Sequence, residues 1–435
     1  MRYILLYALL LWLPSIFFNQ PDTTGFFYWR HQLTLLTGLI ALTAMGLAML
    51  LAMRFSWVDK RLNGLDKSYK LHKTLGITAL VAVICHWVLI ELPKWLIPLG
   101  LMERPNRQHH GGQISNAIDW THLAKEVGNF TFYVFVIFCA ISLIQRFTYK
   151  QFQWTHKLAG AIFLASAFHS VLLVEWEIPS WLLSISVVVT AIVGSIFALR
   201  SLTFSIGKDK KYQGSITQAN VVAKHPSLLH LQVAVEHPMN AKAGQFVFLS
   251  FDDNELPHPF SILSKTADNR HFEFAIKSLG DYTNQLPKSL RIGSTITLEG
   301  PYGEFTLPNT AHQVWLAAGV GAVPILSWLQ QVKEKGLPQG TDKVHIAYCY
   351  RDPNDDFLLN KFRALTKDLA NVELHLFVSG EGQRLTAADI AEWTALPTTH
   401  VYFCGPEAFS IQLKQQLVEL GLVPSHFHCE NFRIR

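Results

Sequence analysis

Four histidines lie inside stretches of the chain that otherwise have the composition of membrane-spanning helices. His72 and His86 lie in one stretch, and His156 and His169 lie in another. A polar ring costs free energy inside hydrocarbon, so a histidine in such a position is a candidate for a functional role. The two pairs have nearly the same spacing, 14 and 13 residues. Two haems stacked across a bilayer, each held between the two helices, are the simplest arrangement that fits.

The composition of the first half of the chain predicts an integral membrane protein. Half of the 435 residues are hydrophobic and only 16% are charged, which is low for a soluble protein. The apolar residues are concentrated in the first 200 positions, in segments close to the ~20 residues that a spanning helix needs. The six predicted spans, of which the first is taken as uncleaved, are Tyr3–Phe18, Leu33–Met53, Leu71–Leu92, Val127–Ile144, Phe152–Val174 and Trp181–Leu199.

Charged residues that flank these segments predict how the chain lies in the membrane. The net charge is +5, but Lys and Arg cluster at helix ends, which indicates membrane orientation and not nucleic-acid binding. The loops at 54–70 and 145–151 are basic, whereas the 175–180 loop contains two Glu residues and neither Lys nor Arg. By the positive-inside rule both termini are cytoplasmic and the 93–125 loop is external.

The other candidate metal ligands form no pattern. The five cysteines are scattered without a CxxC pair, so neither a disulfide framework nor a zinc or iron–sulfur site is indicated. His109, His110 and His122 lie in the external loop. They could bind a metal or shape an acceptor site, but a solvated loop is the interpretation we favour.

The second half of the chain has the pattern of two soluble domains. Short alternating runs after about Ser205 predict strands of a small antiparallel barrel. From about Gln313, strands alternate with helices, which is typical of a parallel doubly wound sheet. The predicted fold class is therefore a multi-domain membrane protein. It has a six-helix transmembrane haem domain (1–204), an antiparallel β-barrel for FAD (205–309) and an α/β doubly wound NAD(P)H domain (310–435).

The spacing within each histidine pair has a geometric consequence. On one helix, His72 and His86 share a face about 21 Å apart, because fourteen residues are nearly four turns. His156 and His169 would diverge by about 140° on an ideal helix, so an irregularity or a tilt must bring them into line. The alternative to metal ligation is that the four rings make ordinary polar contacts between helices.

The two inner sites share the pattern H-K-x-x-G, at His72–Gly76 and His156–Gly160. Each Gly falls one turn after its His on the same face, where a flat macrocycle needs a side chain to be absent. Lys73 and Lys157 could each meet a haem propionate at the cytoplasmic surface. Anchoring by the positive-inside rule explains the two lysines equally well.

Two segments of the barrel region have the residue types of a flavin site. A flavin needs an aromatic surface against its ring and a small hydroxyl near its N5, and Phe260 and Ser261 fit these roles on a predicted strand. A second segment turns from a strand into a helix, whose N-terminus offers N–H groups to a pyrophosphate. The candidate flavin-binding residues are His258, Pro259, Phe260, Ser261, Lys277, Gly280, Tyr282 and Thr283.

The last 120 or so residues contain the elements of a dinucleotide site. A G-x-G-x-x-P turn follows the first strand of the predicted sheet, where glycines let backbone approach phosphates. An Arg at the end of the second strand suits a ribose 2′-phosphate, which favours NADPH over NADH. A Cys-Gly-Pro turn ends a late strand, near where a nicotinamide should lie. The residues concerned are Gly319, Gly321, Pro324, Arg351, Arg384, Cys404, Gly405 and Pro406.

Together these motifs resemble the transmembrane NADPH oxidase and ferric reductase family. That family has a six-helix, two-haem core fused to a ferredoxin-reductase-like module, and the resemblance covers nearly the whole chain. Its histidine pairs have the same 14- and 13-residue spacing as those described above. The H-P-F-S, G-D-Y-T, G-x-G-x-x-P and C-G-P segments also match its motifs. The compact loops suggest a bacterial member, in the inner membrane.

The resemblance implies the cofactors FAD, two b-type haems and NADPH, with NADH as the alternative nucleotide. It makes His72, His86, His156 and His169 the haem ligands. In the oxidases of this family a terminal Glu-Asn-Phe places an aromatic ring on the flavin, and Phe432 resembles that ring, although three residues follow it. The candidate catalytic residues are Phe432, Ser261 and Cys404.

The function implied is electron transfer from cytosolic NADPH through FAD and the haems to an extracytoplasmic acceptor. Oxygen, giving superoxide, is the acceptor we favour, and chelated ferric or cupric ions are the alternative. The partners are then the lipid bilayer, NADPH and the acceptor, with no nucleic acid and no obligatory protein. Two rival hypotheses remain: a haem-quinol subunit that serves a partner reductase, and a transporter or channel whose histidines relay protons.

Overall fold

The fold is described from a computed structural model that covers most of the chain in two units. The described residues are 2–18, 25–103, 118–144, 152, 155–176, 180–203, 206–224, 227–251, 256–352 and 356–430. Unit 1 comprises Met1–Phe55 and Ser68–Ile206, and unit 2 comprises Ser56–Lys67 and Gly207–Arg435. Phe432, His109 and His110 lie outside the described residues.

Unit 1 consists of apolar helices, as the sequence predicts. By length and composition, four described helices are suited to cross a membrane: α2, α4, α5 and α7. Helices α1 and α6 are also apolar but have only 17 and 15 residues, so the number of six spans stays a prediction. The helices, with α3 belonging to unit 2, are α1 (Arg2–Phe18), α2 (Phe26–Ala52), α3 (Ser56–Leu62), α4 (Leu65–Leu96), α5 (Trp120–Leu143), α6 (Leu158–Leu172) and α7 (Trp181–Leu202).

The basic segment at 54–70 differs from the loop that the sequence predicts. Helix α3 occupies part of it, and α4 begins at Leu65 rather than at Leu71. Lys67 and Lys70 therefore lie on the first turns of α4. Hydropathy marks only the apolar part of a helix, and a helix can continue beyond it because its backbone hydrogen bonds do not depend on the surrounding solvent.

Small residues let the helices of unit 1 pack closely. Phe163 of α6 is fully buried, and a Cβ on Gly194 of α7 would overlap its ring. A Cβ on Gly46 of α2 would lie 3.0 Å from Cγ2 of Thr190 on α7. Membrane helices usually associate by close approach at small residues. In lipid there is no hydrophobic driving force between helices, so van der Waals packing has to hold them together. These contacts position α2 and α6, which carry the groups described below.

The first part of unit 2 is a closed antiparallel barrel, which confirms the prediction. Its strands follow the order β1-β2-β5-β4-β3-β6, and pairing of β1 with β6 closes it. The buried side chains include Leu229, Leu231 and Val233 on β2. The alternating apolar residues of the sequence are therefore those that face the inside of the barrel. The strands are β1 (Lys211–Lys224), β2 (Ser227–Val235), β3 (Phe246–Phe251), β4 (His258–Lys265), β5 (His271–Lys277) and β6 (Thr295–Tyr302), with α8 (Asp281–Ser289) between β5 and β6.

The second part of unit 2 is a parallel five-stranded sheet in the order β11-β10-β7-β8-β9. Strand β7 comes first in the chain and lies in the middle, so the order reverses between β7 and β10. Ligands of such sheets bind at this reversal, beyond the carboxyl ends of the strands. The elements are β7 (His312–Ala318), α9 (Ala322–Lys335), β8 (Lys343–Tyr350), α10 (Asp356–Thr366), β9 (Val372–Val378), α11 (Ala387–Trp393), β10 (Thr399–Cys404), α12 (Glu407–Glu419) and β11 (Phe427–Glu430).

Candidate functional site

The four membrane histidines form two facing pairs in unit 1. The ring centroids of His72 and His156 are 5.8 Å apart, with their planes at 59°. Those of His86 and His169 are 6.4 Å apart, with their planes at 85°. Each pair joins one ring of α4 to one ring of the chain segment that contains α6. The structure thus brings the histidines together in the pairing that the sequence predicts.

Backbone carbonyl groups orient three of the four rings through the Nδ1 atom. His72 Nδ1 lies 3.0 Å from the carbonyl oxygen of Ala48, and His86 Nδ1 lies 3.0 Å from that of Thr34. His169 Nδ1 lies 2.8 Å from the carbonyl oxygen of Ala124 on α5. Since a carbonyl can only accept, each of these rings carries a proton on Nδ1, and in the neutral ring the Nε2 atom is then left with a lone pair.

The fourth ring, His156, is positioned differently. Its Nδ1 atom is buried and has no hydrogen-bond partner among the described residues. His156 lies on a helical turn that ends at Lys157, and α6 begins at Leu158. Lys157 itself keeps helical backbone angles, φ −61° and ψ −29°, so the structure marks only a local break in the helix between His156 and His169.

Glycines around the rings have more than one purpose. A Cβ on Gly128 of α5 would overlap the ring of His169, and one on Gly38 of α2 would lie 3.3 Å from Cε1 of His86. Space is open beside Gly76, as the H-K-x-x-G interpretation requires. The space beside Gly160 is not open, because a Cβ on this residue would lie 2.8 Å from Cγ of Leu202 on α7. Its missing side chain serves helix packing.

The predicted flavin residues lie on neighbouring elements of the barrel. The H-P-F-S segment begins β4, and the ring of His258 stacks on Tyr282 of α8, with centroids 4.2 Å apart and planes at 17°. Phe260 packs against the barrel core and is partly buried. Ser261 pairs with Phe246 of β3. The two motif segments, far apart in sequence, therefore contact each other through His258 and Tyr282.

Thr283 shapes the turn that enters α8. Its Oγ1 atom accepts hydrogen bonds from the N–H groups of Leu279 and Gly280, at 2.9 and 3.1 Å. Gly280 is the N-cap of the helix, so the next N–H groups, at the start of α8, are the ones that a pyrophosphate can use. Thr283 thus holds the turn in place through these two hydrogen bonds.

The nucleotide motifs meet where the strand order of the sheet reverses. Gly319 has φ +57°, and Gly321 packs so closely against the carbonyl of Cys404 that a Cβ would overlap it. Pro324 lies in the first turn of α9 and is buried. The Nζ atom of Lys277 lies 3.8 Å from the position that a Cβ on Gly319 would take. A cation from the flavin segment therefore lies beside the G-x-G-x-x-P turn.

Arg351, Arg384 and Cys404 differ in their exposure. Arg351 follows β8 and Arg384 follows β9, and both side chains are exposed. Cys404 at the end of β10 is fully buried, and burial raises the pKa of its thiol well above the ordinary value. The thiol is therefore protonated at neutral pH. The prediction that His122 lies in the 93–125 loop is wrong, because α5 begins at Trp120 and His122 lies exposed on its first turn.

A buried carboxyl group beside these motifs has no counterpart among the candidate site residues. Glu430 ends β11 in register with Cys404, and its Oε2 atom makes no hydrogen bond to a described residue. Burial, with a smaller contribution from Asp66, raises its pKa to about 8. It borders a cavity of about 290 Å³ in unit 2, lined by Asn63, Gly64, Asp66, Lys67, Glu304, Phe305, Thr306, Tyr402, His428, Cys429 and Glu430. A terminal Glu before Asn-Phe is the only sequence signal for it.

The buried Glu430 predicts a specific pH dependence of stability. The folded protein keeps this proton up to about pH 8, whereas the unfolded chain loses it near the ordinary pKa of 4.5. The stabilisation is thus complete below about 4.5 and declines as pH rises towards 8. We expect the thermal midpoint of Glu430→Gln to fall less than that of the unchanged protein between pH 5 and 8. The exposed Glu392→Gln is the control, and equal slopes for both variants would contradict the assignment.

Three families of known sequences match successive parts of the chain. Residues 37–167 match the ferric reductase like transmembrane component. Residues 213–307 match the oxidoreductase FAD-binding domain, and residues 315–414 match the oxidoreductase NAD-binding domain. The first match contains His72, His86 and His156 and ends two residues before His169, and the other two contain the flavin and nucleotide segments.

Individual relatives agree with these matches over part of their length. The chain is 30% identical over 195 residues to the heme-dependent oxidative N-demethylase beta subunit of Ectopseudomonas mendocina, covering 44% of this chain and 59% of that protein. It is 26% identical to the carnitine monooxygenase reductase subunit of Escherichia coli, covering 43% of this chain and 57% of that protein. The chain therefore spans less than two thirds of either relative.

One solved structure is similar over most of the chain. Flavohemoglobin from Malassezia yamatoensis, with bound FAD and heme, superposes with a TM-score of 0.50, covering 91% of this chain and 96% of that one. At 15% identity this shows a likeness of fold alone. With its ferric reductase-like transmembrane component fused to FAD-binding and NAD-binding domains, the chain matches the ferric reductase and NADPH oxidase-like family of FAD-dependent membrane oxidoreductases.

Proposed function

We propose that this protein transfers electrons from cytoplasmic NADPH, through FAD and two b-type haems, to an acceptor on the other side of the membrane. The proposal depends on the two facing pairs of imidazole rings within unit 1. The ring centroids are 5.8 Å apart in one pair and 6.4 Å apart in the other. Two imidazoles on opposite sides of one metal ion have centroids roughly 6 Å apart, since metal–nitrogen bonds are about 2.0–2.1 Å. The spacing of the rings therefore supports the proposal that an iron ion lies between them.

The hydrogen bonds of the rings also support haem ligation. Metal-binding histidines usually donate their other ring N–H to a carbonyl or carboxylate, which fixes the tautomer and raises the basicity of the ligating nitrogen. His72, His86 and His169 each do so through Nδ1. The donor set would hold each haem iron through two imidazole nitrogens, one from each helix. An acceptor would then react at the haem edge.

In unit 2 the chain's own residues would bind and orient the flavin and the nucleotide. Ser261 offers a hydroxyl group and Phe260 an aromatic surface to the flavin, while Lys277 brings positive charge to the phosphates. Gly319 and Gly321 let the backbone approach the dinucleotide at the reversal of the sheet. When bound, FAD supplies the exchange between two-electron and one-electron chemistry, and haem supplies single-electron transfer.

The direction of transfer follows from the proposed orientation. With both termini in the cytoplasm, the NADPH site faces the negative side of the membrane. Outward movement of one electron is then favourable by about 2.3 kcal/mol per 100 mV. Oxygen is the acceptor that we propose, with ferric or cupric chelates as the alternative that the same architecture allows.

Absorption spectroscopy under argon tests the proposal. The full chain, loaded with haem and FAD in lipid nanodiscs, is mixed with NADPH in the absence of any other protein. We expect the haem bands to change from the ferric to the ferrous form. A protein without a Soret band would favour the transporter hypothesis, and haem that stays ferric while NADPH is not oxidised would favour the haem-quinol subunit. Either outcome would contradict the proposal.

The same reduced sample identifies the acceptor. Oxygen or a ferric chelate is admitted separately, and reoxidation of the haem is followed. We expect oxygen to give a product that superoxide dismutase removes. If the ferric chelate is reduced while oxygen gives no superoxide, the oxidase part of the proposal is wrong and the reductase alternative replaces it.

The choice of NADPH over NADH depends on Arg351 and Arg384 in this proposal. Arg351→Ala removes one cation from the position of the ribose 2′-phosphate. We expect KM for NADPH to rise about tenfold, because a charge-assisted hydrogen bond is worth ~1.5–3 kcal/mol, while KM for NADH stays the same. The exposed Arg363→Ala on α10 is the matched control. Equal changes for both nucleotides would remove Arg351 from the phosphate site.

A further inference from the structure

Two histidines and a glutamate form a cluster at the amino end of the sheet in unit 2. His345 of β8 lies opposite Glu373 of β9, and His375 follows two residues later on β9. Side chains two residues apart on a strand share a face, so all three point to the same side of the sheet. Within the described part of the chain, no other group of three or more His, Cys, Asp or Glu residues has its ligand atoms this close together.

The ligand groups of the three residues are spaced close to those around a tetrahedral metal ion, with one ligand atom from each within 4.8 Å of the other two. His345 Nδ1 lies 3.2 Å from His375 Nε2 and 3.6 Å from Glu373 Oε2. His375 Nε2 lies 3.9 Å from Glu373 Oε1. Ligands about 2.0–2.1 Å from a tetrahedral zinc ion are about 3.3–3.4 Å from each other. The two nitrogens are thus already at about this separation, and an inward movement of the Glu373 carboxylate would bring one of its oxygens to enclose an ion.

The surroundings hold the two rings in place. The indole of Trp393 on α11 stacks on His375, with centroids 3.8 Å apart and planes at 9°. The side chain of His345 is 8% exposed, whereas that of Glu373 is 46% exposed, so an ion could enter from the Glu373 side. Lys343 competes for the carboxylate, since its Nζ atom lies 2.6 Å from Glu373 Oε2.

We propose that His345, Glu373 and His375 bind a zinc-type divalent cation. Two imidazoles and one carboxylate, with a fourth position left for water, are a ligand set that zinc uses in proteins. His345 and Arg351 are six residues apart along the chain, which is roughly 20 Å for a strand. The ion would thus lie far from the nucleotide site. It would join β8 to β9 and stabilise the sheet without taking part in electron transfer.

Zinc binding to the full, haem-loaded chain, purified without a histidine tag, tests the proposal. Equilibrium dialysis against ZnCl₂ with excess Mg²⁺ gives the number of sites and their affinity, and a thermal melt gives the shift of the midpoint. We expect His375→Gln to lose one zinc ion or to weaken it by more than about tenfold, since even residues that only orient a ligand contribute ~10–100-fold. His312→Gln is the control, because His312 pairs with a single carboxylate, Asp342, at 3.8 Å.

We expect Lys343→Met to change zinc affinity in the opposite direction to His375→Gln. The comparison distinguishes loss of a metal ligand from a disturbance of packing. Removing the ammonium group frees the Glu373 carboxylate, so we expect tighter zinc binding and a larger rise of the midpoint. NADPH oxidation by all variants reports that they are folded. If the unchanged protein, His375→Gln and Lys343→Met bind the same number of zinc ions with the same affinity, the cluster is a hydrogen-bonded stack of rings and the proposal is wrong.

Discussion

The account of this protein depends on the hydrogen bonds that hold imidazole rings in facing pairs within unit 1. A polar group buried without a partner costs several kcal/mol, about 2–7 by the reference state used. Carbonyl groups of Ala48, Thr34 and Ala124 satisfy one nitrogen of three rings. The second nitrogen of each makes no such bond to a described residue, and the opposite ring of its pair lies 5.8 or 6.4 Å away between centroids. An iron ion between the rings would satisfy these remaining lone pairs, and this is the physical reason for proposing haem.

Much of the architecture could be predicted from the sequence because it follows from periodicity. Alternating runs marked the barrel strands, and strand–helix alternation marked the parallel sheet. The pairing of His72 with His156 and of His86 with His169 could be predicted from matched depth. Ring orientation could not, since it depends on carbonyl groups of α2 and α5 that are 24 to 52 residues away.

Other features could not be predicted because they depend on packing between distant elements. The sequence required an irregularity or a tilt between His156 and His169 and did not show which of the two aligns the rings. Gly76 and Gly160 have the same motif position, yet only Gly160 packs against Leu202. The burial of Glu430 could not be predicted, because it depends on the pairing of β11 with β10 that places this residue beside Cys404. His345 and His375 carried no pattern, because their proximity requires the register of β8 against β9.

The ratio of haem to protein tests the central claim most directly. Each of the four paired histidines is replaced by Leu, and haem is counted in the purified chain by its pyridine complex. The exposed His122→Leu in unit 1 is the control. The account predicts two haems in the unchanged protein and in the control, and at most one in each of the four variants. Two haems in any of those four would contradict it.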